Sequence, residues 1–359
     1  MADSQLDLKS FQNEKANSKE NKFSTRYRGS KKKLIDWIWE QIKEFEFNTV
    51  LDAMGGTGSV AYKLKSKGKK VTYNDYLKFN FFTGLALIEN NATKLTKEDV
   101  NFLFKKHNDV PYKTFIFDTF KDTYFTDEEN LWIDIVVGNI KSMQDKYKQA
   151  IAYYCLFQSC IIKRPYNLFH RKNLYVRFND VKRSFGNKVT WDKPFEEHFR
   201  KFANEINECV FSNNQKNQAL NEEVFNLPED FDLVYIDTPY IPKKGEIIDY
   251  RDAYHFLEGI TNYDNWENLI DESRKHKPLK KEYCIWNDKK NIVNAFDKLI
   301  KKFSKSIIVI SYRSEGIPSE EEFISILKKY KKNVKEVNAK NFKYALSKRD
   351  SKELLFVAF

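Results

Sequence analysis

Asp237-Thr238-Pro239-Tyr240 directly follows the apolar run Leu233-Val234-Tyr235-Ile236. Asp232 to Ile236 reads as a short buried strand that Pro239 stops, so a carboxylate, a proline and an aromatic ring arrive together at a strand's carboxyl end. In open α/β sheets that edge is where ligands bind. The same residues also suit an ordinary turn, because Asp and Pro are common there and Tyr240 can simply pack. What the rest of the chain brings to that edge decides between the two.

A second carboxylate stands at a second strand tip. Thr49-Val50-Leu51-Asp52 reads as a strand, Ala53-Met54-Gly55-Gly56-Thr57-Gly58-Ser59-Val60-Ala61 follows it, and a helix runs to about Ser66. Lys69 to Asp75 is the next strand and ends in an acid. In this βαβ unit, glycines such as Gly56 and Gly58 let the backbone turn tightly and let a ligand approach the helix amino end. Asp75 lies about 20 residues beyond the loop, where a carboxylate can accept both ribose hydroxyls of an adenosyl group. Gly56 to Ala61 also matches the dinucleotide fingerprint. However, Asp52, just before the loop, repels a pyrophosphate and attracts a cation. S-adenosylmethionine carries a sulfonium and an ammonium, and Lys31 can pair with its carboxylate. The residues therefore favour that cofactor over NAD.

The elements around these tips are legible in outline. Arg26-Tyr27-Arg28-Gly29-Ser30-Lys31 opens a helix with Leu34, Ile35, Ile38, Trp39 and Ile42 at helical spacing, and Ser30 or Ser24 can cap it. Residues 78 to 163 are mostly helical, with one long helix expected over Met143 to Ile162. Arg164 to Phe178 then contains no acidic residue. Lys172-Asn173, between two aromatic or β-branched runs, reads as a hairpin tip. Across it, Arg164, Asn167, Arg171, Lys172, Arg177, Lys182, Arg183 and Lys188 interleave with Tyr166, Phe169, Tyr175, Phe185 and Trp191. That mixture suits phosphate contact, base-edge reading and wedging between bases. The alternative is an exposed basic ribbon with no partner.

Phe195 to about Phe211 is amphipathic helix, and Gln218 to Phe225 can hold the strand preceding the one that ends at Asp237. Glu222 or Glu223 can approach a cofactor's adenine amine or form a solvated turn. Ile241 to Gly259, with Tyr250, Tyr254 and His255, reads as a polar loop able to cover the site. Ile307 to Tyr312 is a fully apolar strand, and Ser319 with Glu322 forms a capping box. Phe342 to Leu346 and Glu353 to Phe359 suggest a closing hairpin.

Composition sets the outer limits. A chain of 359 residues with 41% hydrophobic content can bury a large core. No apolar run approaches the roughly 18 residues of a membrane span, so no membrane partner is expected. Met1 to Lys22 is a polar arm without the apolar stretch of a secretory signal. Cys155, Cys160, Cys209 and Cys284 lack zinc or redox spacing and suit reduced, buried thiols of a cytoplasmic protein. No metal is expected. The net charge of +11 favours a polyanionic partner, although 51 acidic residues also permit a merely solvated Lys-rich surface.

The order of these motifs resembles that of the α-group N6-adenine-specific DNA methyltransferases, the D12 class adenine methylase family of restriction–modification systems. Arg26 to Lys31 is similar to the family's amino-terminal cofactor motif. Asp52 to Gly58 resembles its D-x-F-x-G-x-G motif with Met54 replacing Phe, and Asn74-Asp75-Tyr76 resembles its acidic motif. Asp237 to Tyr240 resembles the catalytic D-P-P-Y with Thr238 replacing the first Pro. Asn167 to Arg177, with Arg183-Ser184-Phe185-Gly186 beyond it, looks like the family's DNA-contacting hairpin, and Lys352-Glu353-Leu354-Leu355 also looks familial. The resemblance covers Arg26 to Phe359.

It implies an α/β fold: a Rossmann-like adenosylmethionine-dependent core over 23–77 and 212–359. A helical and β-hairpin target-recognition region fills 78–211, and a flexible arm precedes residue 23. It implies cofactor contacts from Tyr27, Lys31, Asp52, Met54, Gly56, Gly58, Asp75 and Tyr76, and DNA contacts from the basic set above. The implied substrate is an adenine flipped out of double-stranded DNA. Its amine is a poor nucleophile because the lone pair is delocalised into the ring. Asp237 and the carbonyl of Thr238 or Pro239 can draw the amine toward tetrahedral geometry, while Tyr240 stacks on the base; Thr238 is expected to loosen that turn somewhat. A monomer is expected, with a cognate restriction endonuclease as possible companion. The remaining alternatives are an N4-cytosine or RNA N6-adenine methyltransferase, a catalytically silent nucleic-acid-binding relative, and, more distantly, a dehydrogenase.

Overall fold

The computed structural model describes residues 23–179, 188–339 and 352–359. Among these described residues nine strands are assigned: β1 (Thr49–Asp52), β2 (Lys70–Asn74), β3 (Gln218–Leu220), β4 (Leu233–Ile236), β5 (Ile241–Pro242), β6 (Ile307–Arg313), β7 (Gly316–Ile317), β8 (Val334–Ala339) and β9 (Glu353–Ala358). Seven of them form one sheet in the order β3-β2-β1-β4-β6-β9-β8, and β5 pairs with β7 separately. The five strands from β3 to β6 run parallel, and β9 and β8 close the far side antiparallel. Register is tight at the centre, where Val50 faces both Val71 and Leu233, and Asp52 faces Tyr73 and Tyr235.

Residue types explain the sheet. Alternate side chains of a strand point to opposite faces, and both faces here are covered. Leu233 and Tyr235 of β4 join one apolar cluster, while Val234 and Ile236 join the other. Nothing polar interrupts β4, as befits a strand buried on both sides. The helices over the two faces differ. One face is covered by α1 (Ile35–Ile42), α2 (Ser59–Ser66), α3 (Lys78–Gly84), α4 (Asp127–Ser142), α5 (Lys146–Ile162), α6 (Phe195–Cys209) and α7 (His255–Thr261). The other is covered by α8 (Ile292–Lys302) and α9 (Glu320–Tyr330). The stretch between β2 and β3 contains no strand among its described residues, and its helices share the sheet's own apolar core.

Helix ends follow local chemistry. The expected capping box of Ser319 and Glu322 starts α9, and Thr126 with Glu129 builds another at α4. The helix expected from Met143 begins instead at Lys146, where Asp145 accepts from the N–H groups of Tyr147 and Lys148; a separate helix, α4, precedes it. The first arm of the closing hairpin is β8, and the Phe342–Leu346 arm expected from sequence lies outside the described residues.

The hairpin expected at Lys172-Asn173 is replaced by a short helical turn at Pro165–Asn167 and another at Tyr175–Phe178. The reason is Arg164. Its guanidinium is buried and donates to the carbonyls of Leu168 (3.3 Å), Tyr124 (3.2 Å) and Arg171 (3.2 Å), and to the Asn173 carboxamide oxygen. The segment wraps round its own cation rather than pairing with itself.

Candidate active site

The chain order of the sheet determines where a site can be. From β1 the chain builds outward through β2 and β3, then returns to lay β4 on β1's other side. The crevice at the carboxyl ends of β1 and β4 is thus a topological switch point, the place where open α/β sheets bind ligands. Asp52 ends β1 and Asp237 directly follows β4. A cavity of about 1280 Å³, counted out to its open mouth, lies there. It is lined by residues from the amino-terminal turn, the glycine loop, the tips of β2 and β4 and the segment 282–287.

The glycine loop is held by its own backbone. Gly55 N–H donates to Asn74 O (2.8 Å) and Gly58 N–H to Gly55 O (2.8 Å). Gly58 takes a left-handed φ of 71°, and a Cβ at Gly55 would lie 2.1 Å from the Tyr73 ring. A side chain at either position would disturb the loop. Asp75 braces it from the β2 tip, accepting Gly56 N–H (2.8 Å) on one oxygen and Leu77 N–H (2.9 Å) on the other. Burial pushes the Asp75 pKa up to about 6.

Asp52 is 1% exposed. One of its carboxylate oxygens accepts Ala61 N–H of α2 at 3.1 Å, and the other is buried with no hydrogen-bond partner. Burial, and after it the charge of Asp237, push its pKa up to about 8. The cavity lining includes seven carboxylates (Asp52, Asp75, Glu222, Glu223, Asp237, Asp249 and Glu282) against three cations (Arg28, Lys31 and Arg251). In a chain of net charge +11 this pocket is locally acidic. An orphaned buried carboxylate oxygen in an acidic cavity suits a cationic ligand and opposes a pyrophosphate.

At the β4 tip, Lys31 does not reach toward the glycine loop. Its ammonium donates to Asp237 Oδ1 (2.8 Å) and to the Tyr240 hydroxyl, and lies 3.3 Å from Glu353 Oε1. Burial works against the charge, but the Asp237 and Glu353 carboxylates outweigh it and raise the Lys31 pKa above its ordinary value. Burial raises the Asp237 pKa, with Lys31 opposing. Tyr240 stands edge-on to Tyr312 at 5.1 Å, with its hydroxyl 2.9 Å from Asp237 Oδ1. The Thr238 hydroxyl donates to the Pro239 carbonyl at 3.1 Å, a bond that a proline at this position could not make.

Of the other residues expected at the cofactor, Tyr27, Met54, Gly56 and Tyr76 line the cavity, and Gly58 shapes the loop from beneath. Tyr27 stacks on Tyr254 at 4.7 Å and on Tyr250 at 5.4 Å. The loop expected to cover the site is partly helical, and its Tyr254 hydroxyl accepts Arg28 N–H (2.9 Å), a structural contact. Tyr76 is 53% exposed at the mouth. Glu222 and Glu223 are solvated, as one reading had it, and they also line the cavity. The sequence places Glu353 in the closing hairpin and in a familial tetrapeptide but gives it no part in the site. Its signal was an acid heading an otherwise apolar strand, a position that makes sense only with a buried partner.

The basic segment divides. Arg164 is 1% exposed and stacks over Tyr124 at 4.4 Å; Arg177 is 3% exposed and binds both oxygens of Glu129 (2.6 and 2.8 Å). Lys163 shares that carboxylate at 2.8 Å. Arg164 and Arg177 thus hold the protein together, and expecting them at DNA phosphates is corrected by their burial. Asn167 is half-buried, whereas Arg171, Lys172 and Lys188 are exposed. Lys182 and Arg183 lie outside the described residues. Cys155, Cys160 and Cys209 are buried thiols as expected, whereas Cys284 is half-buried at the cavity. Among the described residues no cluster of metal-ligating side chains occurs and no helix is long and apolar enough to cross a membrane.

A switch-point cavity beside a strand followed by Asp-Thr-Pro-Tyr is the arrangement of a methyltransferase. The chain belongs to the D12 class N6 adenine-specific DNA methyltransferases, whose family pattern matches residues 27–326. It is 31% identical over 343 residues to the Type II methyltransferase M2.HphI of Haemophilus parahaemolyticus, covering 92% of this chain and 96% of that one. It is 25% identical over 351 residues to the Type II methyltransferase M.CviAII of Paramecium bursaria Chlorella virus 1, with 93% and 98% covered. It is also 28% identical over 327 residues to the Type II methyltransferase M.FokI of Planomicrobium okeanokoites, covering 85% of this chain but 47% of that longer protein. The reaction is methylation of the N6 amine of adenine in DNA.

Proposed function

We propose that the methyl donor is S-adenosylmethionine, seated in the switch-point cavity, and that it meets an adenine turned out of double-stranded DNA at Asp237. The observation that carries the reading is the unpartnered, buried oxygen of Asp52 in an acidic cavity. The donor supplies a methyl group made electrophilic by its sulfonium. Asp52 faces the donor's cationic end, Asp75 accepts its ribose hydroxyls, and Gly56 brings backbone close to it, with Gly58 turning the loop into α2. Tyr27, Met54 and Tyr76 wall the seat. Lys31 belongs at Asp237 rather than at a donor carboxylate.

Asp237 accepts a hydrogen bond from the target amine, and a carbonyl of the Thr238-Pro239 turn takes the second hydrogen. Because the Thr238 hydroxyl already engages the Pro239 carbonyl, the Thr238 carbonyl is the better second acceptor. Two acceptors localise the nitrogen lone pair, and catalysis is then positioning plus electrostatics. The Asp237 carboxylate, raised in pKa by burial, can take the proton that the methylated amine sheds. Tyr240 stacks on the base, which must leave the duplex to reach this depth.

DNA contact belongs to the exposed side chains of the segment after α5: Arg171, Lys172 and Lys188, with Tyr175 and Phe178 exposed beside them, and with Lys182 and Arg183. Residues 78–211 form the recognition region, 23–77 and 212–359 the catalytic core, and the chain works as a cytoplasmic monomer beside a cognate endonuclease. Incubation with tritiated S-adenosylmethionine and unmodified DNA, followed by nucleoside digestion, tests the reading. Label in N6-methyladenine supports it; label in N4-methylcytosine, or none from a donor that binds, overturns it.

A further inference from the structure

Asp237 Oδ1 already has two donors in the structure, Lys31 Nζ at 2.8 Å and the Tyr240 hydroxyl at 2.9 Å. An ammonium on that oxygen competes with a target amine for it. Lys31 cannot retreat to water, because it is 5% exposed, and a buried ammonium without a counter-charge is strongly disfavoured. A second carboxylate lies within reach. Glu353 Oε1 is 3.3 Å from the same ammonium, is wholly buried at the head of β9, and accepts the Ser311 hydroxyl at 2.6 Å and the Tyr240 hydroxyl at 3.0 Å. The five residues after it, Leu354 to Ala358, are buried and apolar. An acid in such company needs a charged partner, and Lys31 is that partner. Tyr240 has one proton for two carboxylates at nearly equal distances, so its hydroxyl can donate to whichever one the ammonium leaves.

We propose that Glu353 is a positioning residue for methyl transfer, the second carboxylate that takes the Lys31 ammonium when a target adenine claims Asp237 Oδ1. Before DNA arrives, Lys31 keeps Asp237 ionised and occupied. With adenine bound, the amine and the Tyr240 hydroxyl satisfy Asp237 while Lys31 and Ser311 satisfy Glu353. No buried charge is left unpaired at either stage. The proposal rests on the reading of Asp237 as the acceptor of the target amine.

Glu353→Gln tests it, because glutamine keeps the shape and the Ser311 bond but removes the charge. The variant should lose at least about tenfold in kcat on DNA, a little over 1 kcal/mol of barrier, while its Kd for S-adenosylmethionine stays within about threefold. The acid limb of its kcat profile should move to lower pH, because Asp237 then has Lys31 to itself and one negative neighbour fewer. A folded Glu353→Gln enzyme with wild-type kcat, or with a lower kcat and an unmoved acid limb, overturns the proposal. If the variant fails to fold, the wild-type complex with S-adenosylhomocysteine and an oligonucleotide carrying the mapped site decides. Lys31 Nζ on Glu353 and off Asp237 supports the proposal, and Nζ still on Asp237 Oδ1 overturns it. Asp237→Asn is assayed alongside. Retained activity there sinks the reading of Asp237 itself, whereas an inactive Asp237→Asn beside an indifferent Glu353→Gln sinks only the role of Glu353.

Discussion

Two buried cations, Lys31 in the turn before α1 and Arg164 after α5, have almost the same exposure, 5% and 1%. Their surroundings differ in kind. Lys31 faces Asp237 and Glu353, borders the cavity, and has its pKa raised because two carboxylates outweigh burial. Arg164 faces the carbonyls of Leu168, Tyr124 and Arg171 and the rings of Tyr124 and Phe169, and burial lowers its pKa. Lys31 can exchange one partner for another of the same charge, whereas Arg164 is fixed among neutral acceptors that have no substitute. Burial of a charge therefore does not mark a functional residue by itself. Charged partners beside a cavity do.

The largest expected effect is at Asp237. Asp237→Ala should reduce methyl transfer by roughly 10³-fold, on the scale of losing a central electrostatic group, while a titration still detects S-adenosylmethionine binding. Substantial tritium incorporation by that variant would move catalysis elsewhere. Arg164→Ala should act on stability instead. It leaves three backbone carbonyls and the Asn173 side chain without their donor and opens a cavity, a loss of about 3 kcal/mol that chemical denaturation measures. A fully stable Arg164→Ala protein that loses DNA affinity would return Arg164 to the interface and erase the contrast with Lys31.

The two regions also differ in how far sequence alone revealed them. The strand tips were legible because each is a local pattern with one physical outcome. Leu233 to Ile236 is too apolar to lie anywhere but in a sheet covered on both faces, so Asp237 had to emerge at its edge. The Gly55 to Gly58 turn and Asp75 belong to a single βαβ unit whose spacing fixes their meeting. The segment from Arg164 was misread because its sequence shows which residues are basic but not what lies against them. Glu129, which captures Arg177 and Lys163, stands 48 residues before Arg177, and Tyr124, which stacks on Arg164, stands 40 residues before it. Glu353 was obscured for the same reason: its partner Lys31 is near the other end of the chain. Contacts within one supersecondary unit can be read from spacing, and pairings across the chain cannot.

Asp52 sharpens the contrast through pH. Its pKa is pushed up to about 8 by burial and by Asp237, above the ordinary carboxylate value near 4. The folded protein without ligand therefore holds a proton there that the unfolded chain releases, and this contribution to stability is present at low pH and lost as pH rises through about 8. Donor binding has the opposite dependence, because a cation is attracted by the ionised carboxylate. Between pH 6 and 8 the affinity of the wild-type protein for S-adenosylmethionine should rise by up to about tenfold per pH unit, relative to Asp52→Asn, in which this part of the slope is absent. Calorimetric titrations of both proteins across that range measure it, and parallel slopes would mean that Asp52 does not face the donor's charge.

The smallest effects belong to the exposed half of the basic segment. Arg171 and Lys172 are solvent-exposed, so replacing either with alanine should leave the thermal transition within about a degree or two, since surface substitutions stay near ±0.5 kcal/mol. If each contacts a phosphate, each substitution weakens DNA binding several-fold and lowers the slope of log affinity against log salt by about one. Lys188→Ala should behave likewise. Because phosphate contacts position the protein without reading sequence, the loss should be similar on specific and unrelated duplexes. A salt slope unchanged in all three variants would leave this segment without a DNA-contacting role, and its aromatic and basic residues would then differ from Arg164 only in exposure.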